Sequence, residues 1–380
     1  MTDPTSPTPN GAAAPTPPGK ERDRHRASRR ANHPLVVAGS MVFTLLIVAI
    51  VLGGGALWIG KTRYYAPGPL AQEKAVIIPN DYGLMDIADL LLKQGVIDDK
   101  WVFVGAAAGT RASSKLKAGE YAFAAGSSIQ QVLNTIVSGK VIEYVVTIPE
   151  GLTSDQIVER VLAVEELSGS VRQVPREGSL MPDTYKITRG TSREDLLRRM
   201  ARTQDAALKE IWEKRDPDLP LKSPQELVIL ASIVEKETGV PEERAQVASV
   251  FINRLNKKMR LQSDPTIIYG LVRGKGRLER ALTRTDITTP TPFNTYTIPA
   301  LPPGPIGNPG RASLEATARP AKSDNLYFVA DGTGGHAFAP TLDQHNKNVA
   351  RWRQIERERK VDPAAQPAGT SGTTGATPVD

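Results

Sequence analysis

The chain is expected to fold as an α+β protein behind a single transmembrane helix, with a small mixed module preceding a larger α+β domain. Three observations carry this expectation. An uncharged run from Leu35 to Ile59 is long enough to cross a bilayer. Helical spacing dominates from Ser192 to Lys257, and after Met259 the chain changes to short β-like pieces divided by Gly and Pro. Strands grouped apart from helices, with no glycine-rich phosphate fingerprint, argue against an α/β barrel or a dinucleotide fold. At 380 residues there is room for two folded domains and tails.

Residues 1–33 are rich in Pro, Thr, Ala and charge and are expected to form a disordered tail. Residues 34–60 form the expected membrane helix: the 25 residues from Leu35 to Ile59 match a hydrocarbon core of ~30 Å. A cleaved signal peptide would have a shorter apolar region nearer the N-terminus. A buried core helix would not be apolar on every face. Six cations from Lys20 to Arg30 precede the run and only Lys61 and Arg63 follow closely, which puts the N-terminus in the cytoplasm and the rest outside. Trp58, Tyr64 and Tyr65 fit an interfacial belt. The net charge of +7 is therefore read as topology, and with 5% aromatics and no zinc-finger spacing nucleic acid is not an expected partner. There is no cysteine, so disulfide and thiolate metal chemistry are excluded.

After a linker over residues 61–74, residues 75–140 read as a β, α, β, α module: a strand at Ala75 to Pro79, a helix at Gly83 to Gln94, a strand in KAGEYAF (117–123), and a helix from Ser127 to Val137. By itself such a unit suits a spacer or a glycan binder. The larger domain, 141–358, opens with a strand (VIEYVVTI, 141–148) and a helix starting near Thr153-Ser154. Helices follow over Ser192 to Trp212, Pro224 to Thr238 and Pro241 to Lys257. The β-like pieces are TIIYG (266–270), the Pro-rich stretch from 288 to 310, and NLYFVAD (325–331). Residues 359–380 are expected to be a second flexible tail.

Within LVILASIVEKETG (227–239), Leu227, Leu230, Ile233 and Val234 make one helical stripe whose continuation reaches Glu237. Glu235 lies about 200° round the helix, so only one of the two can line a cleft. Packed against apolar neighbours, Glu237 would have a raised pKa and could serve as a general acid. From pattern alone, Glu235, Lys236 and Glu237 also read as the solvated end of an amphipathic helix. His336 and His345 are the only histidines beyond the N-terminal tail, and without a zinc-protease motif no metal or cofactor is expected. No serine-nucleophile elbow is present.

SLMPDTY (179–185), ASIVEKET (231–238), ASVFINRL (248–255), MRLQSDPTIIYG (259–270), TPFNTYTIPALPPGPIGNPG (291–310) and NLYFVADGTGGHAF (325–338) together resemble the MltG (YceG-like) family of endolytic murein transglycosylases. The resemblance is weaker across 75–140, where the family has a LysM-like module and KAGEY is the best local match. It implies that Glu237, the second Glu of E-K-E-T, is the catalytic acid and base. It further implies lytic cleavage of peptidoglycan between MurNAc and GlcNAc with a 1,6-anhydro-MurNAc end, terminating nascent strands. A location in the cytoplasmic membrane, with the catalytic domain in the periplasm and glycan-polymerising penicillin-binding proteins as partners, is implied as well. Gln262, Asp264, Asn294, Thr295 and Tyr296 are candidate substrate-binding residues in the matched loops. Each also has a structural reading: Asp264 as a turn former, Asn294 as a cap, Tyr296 as a core ring. Two other functions are kept: a hydrolytic muramidase with Asp264 as second carboxylate, and a noncatalytic wall-binding scaffold.

Overall fold

The computed structural model describes residues 34–361. The basic tail expected over 1–33 lies outside the described residues, as does the expected C-terminal tail beyond Val361. The chain divides into two compact units. Among the described residues, one comprises 34–76, 81–116 and 123–138; the other comprises 77–80, 117–122 and 139–361.

In the smaller unit, α1 (Pro34–Tyr65) is one continuous helix of 32 residues. Its apolar side chains, such as Leu45, Val51 and Leu57, are exposed along its length, which is not the burial of a core helix. Among the described residues it is the one helix long and apolar enough to cross a membrane. The unit continues through α2 (Leu84–Lys93), α3 (Lys100–Gly109) and α4 (Ile129–Ser138). Ile87, Ala88 and Leu91 of α2 are buried, as are Val132, Leu133 and Ile136 of α4. Helix α3 was not foreseen: WVFVGAAAG has no clear apolar period. Its start is set by Asp99, whose side chain accepts from the N–H groups of Trp101 and Val102.

Two strands precede the larger unit's hairpins, β1 (Lys74–Ile78) and β2 (Gly119–Phe123). Glu120, from the KAGEY stretch, is buried and accepts hydrogen bonds from Arg189 Nε at 2.8 Å and Tyr144 Oη at 2.7 Å. Burial alone would raise its pKa, but these two donors outweigh it and hold it below the usual carboxylate value. Strand β3 (Glu143–Thr147) pairs antiparallel with β4 (Thr184–Thr188), joining Tyr144 to Ile187 and Val146 to Tyr185. Helices α5 (Ser154–Leu162) and α6 (Arg193–Glu213) cover this hairpin with a core that includes Ile157, Val161, Leu196 and Met200.

A second core surrounds α7 (Pro224–Glu237), which starts at the N-cap Ser223 with Pro224 in its first turn. All eight residues from Leu227 to Val234 are buried, so the helix is enclosed on every side rather than along one stripe. At about 1.5 to 3 kcal/mol per large apolar side chain, this burial holds the helix firmly in the domain. A 3₁₀ turn (Pro241–Glu243) leads into α8 (Arg244–Asn256). Then come α9 (Asp264–Val272), α10 (Arg284–Thr288) and α11 (Arg311–Ala318). The hairpin of β5 (Tyr327–Ala330) and β6 (His336–Ala339) is followed by α12 (Leu342–Val361).

Among the described residues the strands form three two-stranded sheets, β1–β2, β3–β4 and β5–β6, the last two antiparallel, so the class is α+β as expected. Three local expectations are corrected. TIIYG is helical, not β-like: Pro265 sits in the first turn of α9, and Thr266 and Ile267 are buried, so tertiary packing overrides their β-branched preference. The Pro-rich stretch from 288 to 310, expected as β-like, holds no strand and runs as turns and loop once α10 ends at Thr288, its prolines lacking the N–H groups that a ladder needs. Helix α12 runs to Val361 through a stretch expected to be tail from 359.

Candidate active site

The last turn of α7 separates its two carboxylates as the angular spacing requires. Glu235 accepts a hydrogen bond from Gly310 N at 2.9 Å and lies 3.8 Å from Arg244, so it is committed to the N-terminus of α11. Glu237 points elsewhere: its Oε1 accepts from Ser263 Oγ at 2.5 Å. The helix ends one residue later, where Thr238 is extended and its Oγ1 accepts from Val240 N.

Ser263 is almost wholly buried and is placed by a second loop. Its N–H donates to Thr295 Oγ1 at 2.9 Å, Gln262 N donates to Thr295 O at 3.2 Å, and the hydroxyls of Thr266 and Thr295 lie 2.9 Å apart. Gln262 adopts φ 51°, a left-handed conformation that costs a non-glycine residue on the order of 1 kcal/mol. Arg254 of α8 braces that bend from behind. It donates from Nη1 to Leu261 O at 2.6 Å and from Nε to Leu326 O at 2.7 Å. Asp264, first residue of α9, accepts from Tyr296 Oη at 2.7 Å.

Burial pushes the Glu237 carboxyl up to about 7 from an ordinary value near 4.5. The Ser263 hydroxyl and the Arg254 charge pull the other way, and the negative charge of Asp264 adds to the rise. Asp264 is also raised by desolvation, with the Tyr296 hydroxyl opposing. Tyr296 is raised by burial and by Asp264. A carboxyl with a pKa near 7 is half protonated at neutral pH, the state a group needs to act as acid and then base.

Of the residues singled out in the sequence, Glu237, Asp264 and Tyr296 fall in one electrostatically coupled cluster. Gln262 borders it, with its Oε1 3.5 Å from Arg254 Nη1. Asn294 and Thr295 present no accessible surface. Asn294 Nδ2 donates among the carbonyls of Asp286, Ile287 and Thr289, and its Oδ1 accepts from Tyr296 N, so it shapes the loop from inside. Ser263 and Arg254 were missed. Ser263 stands between Gln262 and Asp264 in a stretch already noticed, but a lone serine carries no signal of its own. The Pro-rich loop is a strut: Ile306 N donates to Ser232 Oγ of α7, and Asn308 bonds to Leu152, Ser154, Glu177 and Leu180. His336 is held by Glu243, Nδ1 to Oε2 at 2.7 Å. Among the described residues no group of three His, Asp or Glu side chains stands at metal-binding spacing. Cavities of about 600 and 290 Å³ occur elsewhere in this unit, the first beside Glu150 and Arg311 and the second beside Tyr269 and Phe293.

The chain is similar to several known proteins. An endolytic murein transglycosylase of Bacillus subtilis (strain 168) is 29% identical over 344 residues, spanning 80% of this chain and 92% of that protein. One from Streptococcus pneumoniae (strain D39 / NCTC 7466) is 30% identical over 322 residues, 72% of this chain and 57% of that longer protein. A crystal structure of a yceG-like protein from Listeria monocytogenes is 32% identical, covering 73% of this chain and 98% of that one, with a TM-score of 0.47. The YceG-like family profile matches residues 76–351, most of the chain. By the extent of that match, the chain belongs to the YceG-like family.

Proposed function

We propose that this protein is a peptidoglycan lytic transglycosylase, anchored by α1, in which Glu237 serves as acid and then base. The relatives named as endolytic murein transglycosylases support the activity. The observation that carries the residue assignment is the desolvated Glu237 carboxyl, with a pKa near 7 and one oxygen occupied by Ser263. With Ser263 donating to Oε1, the acidic proton belongs on Oε2, the oxygen free to meet substrate. Glu237 passes that proton to the glycosidic oxygen as the muramyl C1–O bond breaks. Its carboxylate then takes the proton of the C6 hydroxyl as that oxygen bonds to C1, closing a 1,6-anhydro ring. Atoms and charge balance without water, and the oxocarbenium-like charge develops beside the ionised Glu237 and the dipoles of the 262–264 and 294–296 loops.

The remaining parts of the proposal rest on the charge pattern around α1 and on the resemblance to the family. The basic cluster before α1 supports a cytoplasmic N-terminus and a catalytic domain outside the cytoplasmic membrane, in the periplasm. Strand termination beside penicillin-binding glycan polymerases is the proposed setting, and residues 75–140 are the proposed LysM-like contact with glycan. Gln262, Asp264 and Tyr296 are proposed to meet the sugar, while Asn294 and Thr295 hold the loop that presents them.

The test is digestion of purified peptidoglycan with the full chain in detergent, wild type beside Glu237→Gln, followed by mass analysis of the released glycans. Fragments one water lighter than the reducing-end products, absent with the variant, are the expected result. Reducing ends would replace this reading with a hydrolytic muramidase, and equal release by both proteins would remove Glu237 from the chemistry.

A further inference from the structure

We propose that the N-terminal end of α3, Lys100 and Trp101, docks on the lipid headgroup layer, giving the smaller unit a membrane contact beside its anchor. The inference rests on reading α1 as a membrane span. The apolar run of α1 ends at Ile59, and Arg63 lies four residues farther along the same helix. At ~1.5 Å per residue that is about 6 Å beyond the hydrocarbon boundary. The polar layer on each side of a bilayer's ~30 Å core is on the order of 5 to 8 Å deep. Arg63 therefore stands at headgroup level.

Two contacts carry that depth to α3. Arg63 Nη1 is 3.8 Å from Asp99 Oδ2, and Asp99 Oδ1 caps α3 by accepting from Trp101 N at 2.9 Å and Val102 N at 3.1 Å. Helix α1 also packs against α3 and α4 within this unit. An exposed ion pair contributes little energy, so Arg63 and Asp99 serve as a ruler rather than a clamp.

What stands at that level suits a lipid surface. Trp101 is 66% exposed, while Phe103 two residues on is wholly buried, so the indole is a large aromatic group that the module's core does not use. The Lys100 ammonium lies 5.3 Å from the centre of its ring and 2.7 Å from Asp89. An indole beside an ammonium fits the boundary where apolar chains meet phosphates: the ring enters the glycerol region while its N–H and the cation face the headgroups. On α1 itself, Trp58 and Tyr65 are likewise exposed at the end of the apolar run.

The test uses the full chain reconstituted in phosphatidylethanolamine and phosphatidylglycerol vesicles. A variant keeping Trp101 alone (Trp58→Phe, Trp212→Phe, Trp352→Phe) is read by its own fluorescence against lipids spin-labelled near the headgroup. Because the natural chain has no cysteine, Val51→Cys and Ala108→Cys carry dyes that report the bilayer centre and the far end of α3. Docking is expected to give Trp101 quenching by the shallow label several-fold stronger than at Ala108→Cys, together with protection from aqueous acrylamide. Trp101 quenched only as weakly as Ala108→Cys, while Val51→Cys responds to chain-centre labels, overturns the docking and leaves the span intact. No lipid quenching at any of the three positions overturns the span and the docking with it.

Discussion

At Glu237, two short-range effects compete and desolvation wins. A hydroxyl donor on the carboxylate and a nearby guanidinium both favour ionisation, yet the pKa rises to about 7 because burial withdraws the carboxyl from water and Asp264 adds negative charge beside it. The activity of a reaction that begins with the protonated acid is therefore expected to fall about tenfold per pH unit above 7, a limb read from kcat/KM against pH. Ser263→Ala removes a bond that stabilises the carboxylate. Its limb is expected to move to higher pH, with kcat lower by roughly tenfold as the carboxyl loses its orientation. An unmoved limb would mean that Ser263 does not govern this proton.

Among the elements, the decisive pair is the end of α7 and the two loops that meet it. Helix α7 is rigid because it is buried all round; the loops are irregular and depend on side-chain bonds for their shape. Asn294 illustrates the dependence, since one buried amide bonds to three carbonyls and to Tyr296 N. Asn294→Ala would leave these groups buried without partners and is expected to lower stability by about 2 to 4 kcal/mol. Thermal or urea unfolding checks this, and a loss below ~1 kcal/mol would show that the loop holds itself by other means. The elements also show where local pattern misleads. TIIYG carries strand-forming residues yet is helix α9, because Thr266 and Ile267 find burial there and Pro265 starts a helix well.

For the molecule as a whole, the raised Glu237 pKa links function to stability. The unfolded value is near 4.5 and the folded value about 7, so between these the unfolded chain releases the proton first. The stability this group contributes is thus fully present below pH 4.5 and is lost as pH rises through 7. Glu237→Gln, which cannot ionise and still accepts from Ser263, is expected to be more stable than wild type at pH 8. The gain is on the order of 2 kcal/mol, and it should vanish near pH 4.5. Calorimetry at the two pH values decides it, and equal stability at pH 8 would show that the folded carboxyl is not desolvated. The sequence by itself determined the α+β class, the long apolar helix at the N-terminal side, most helix positions, and the choice of Glu237 as the candidate acid, through its spacing on α7 and the motif around it. These are local or periodic properties, written into neighbouring residues. Only the tertiary structure decided that Glu235 serves α11 while Glu237 meets Ser263, that Arg254 braces the bend at Gln262, and that Asn294 and Thr295 are internal struts. Several of these bonds join residues far apart in the chain, Glu237 to Ser263 by 26 positions, Arg254 to Leu326 by 72 and Glu235 to Gly310 by 75, and no local pattern records which buried polar groups will meet.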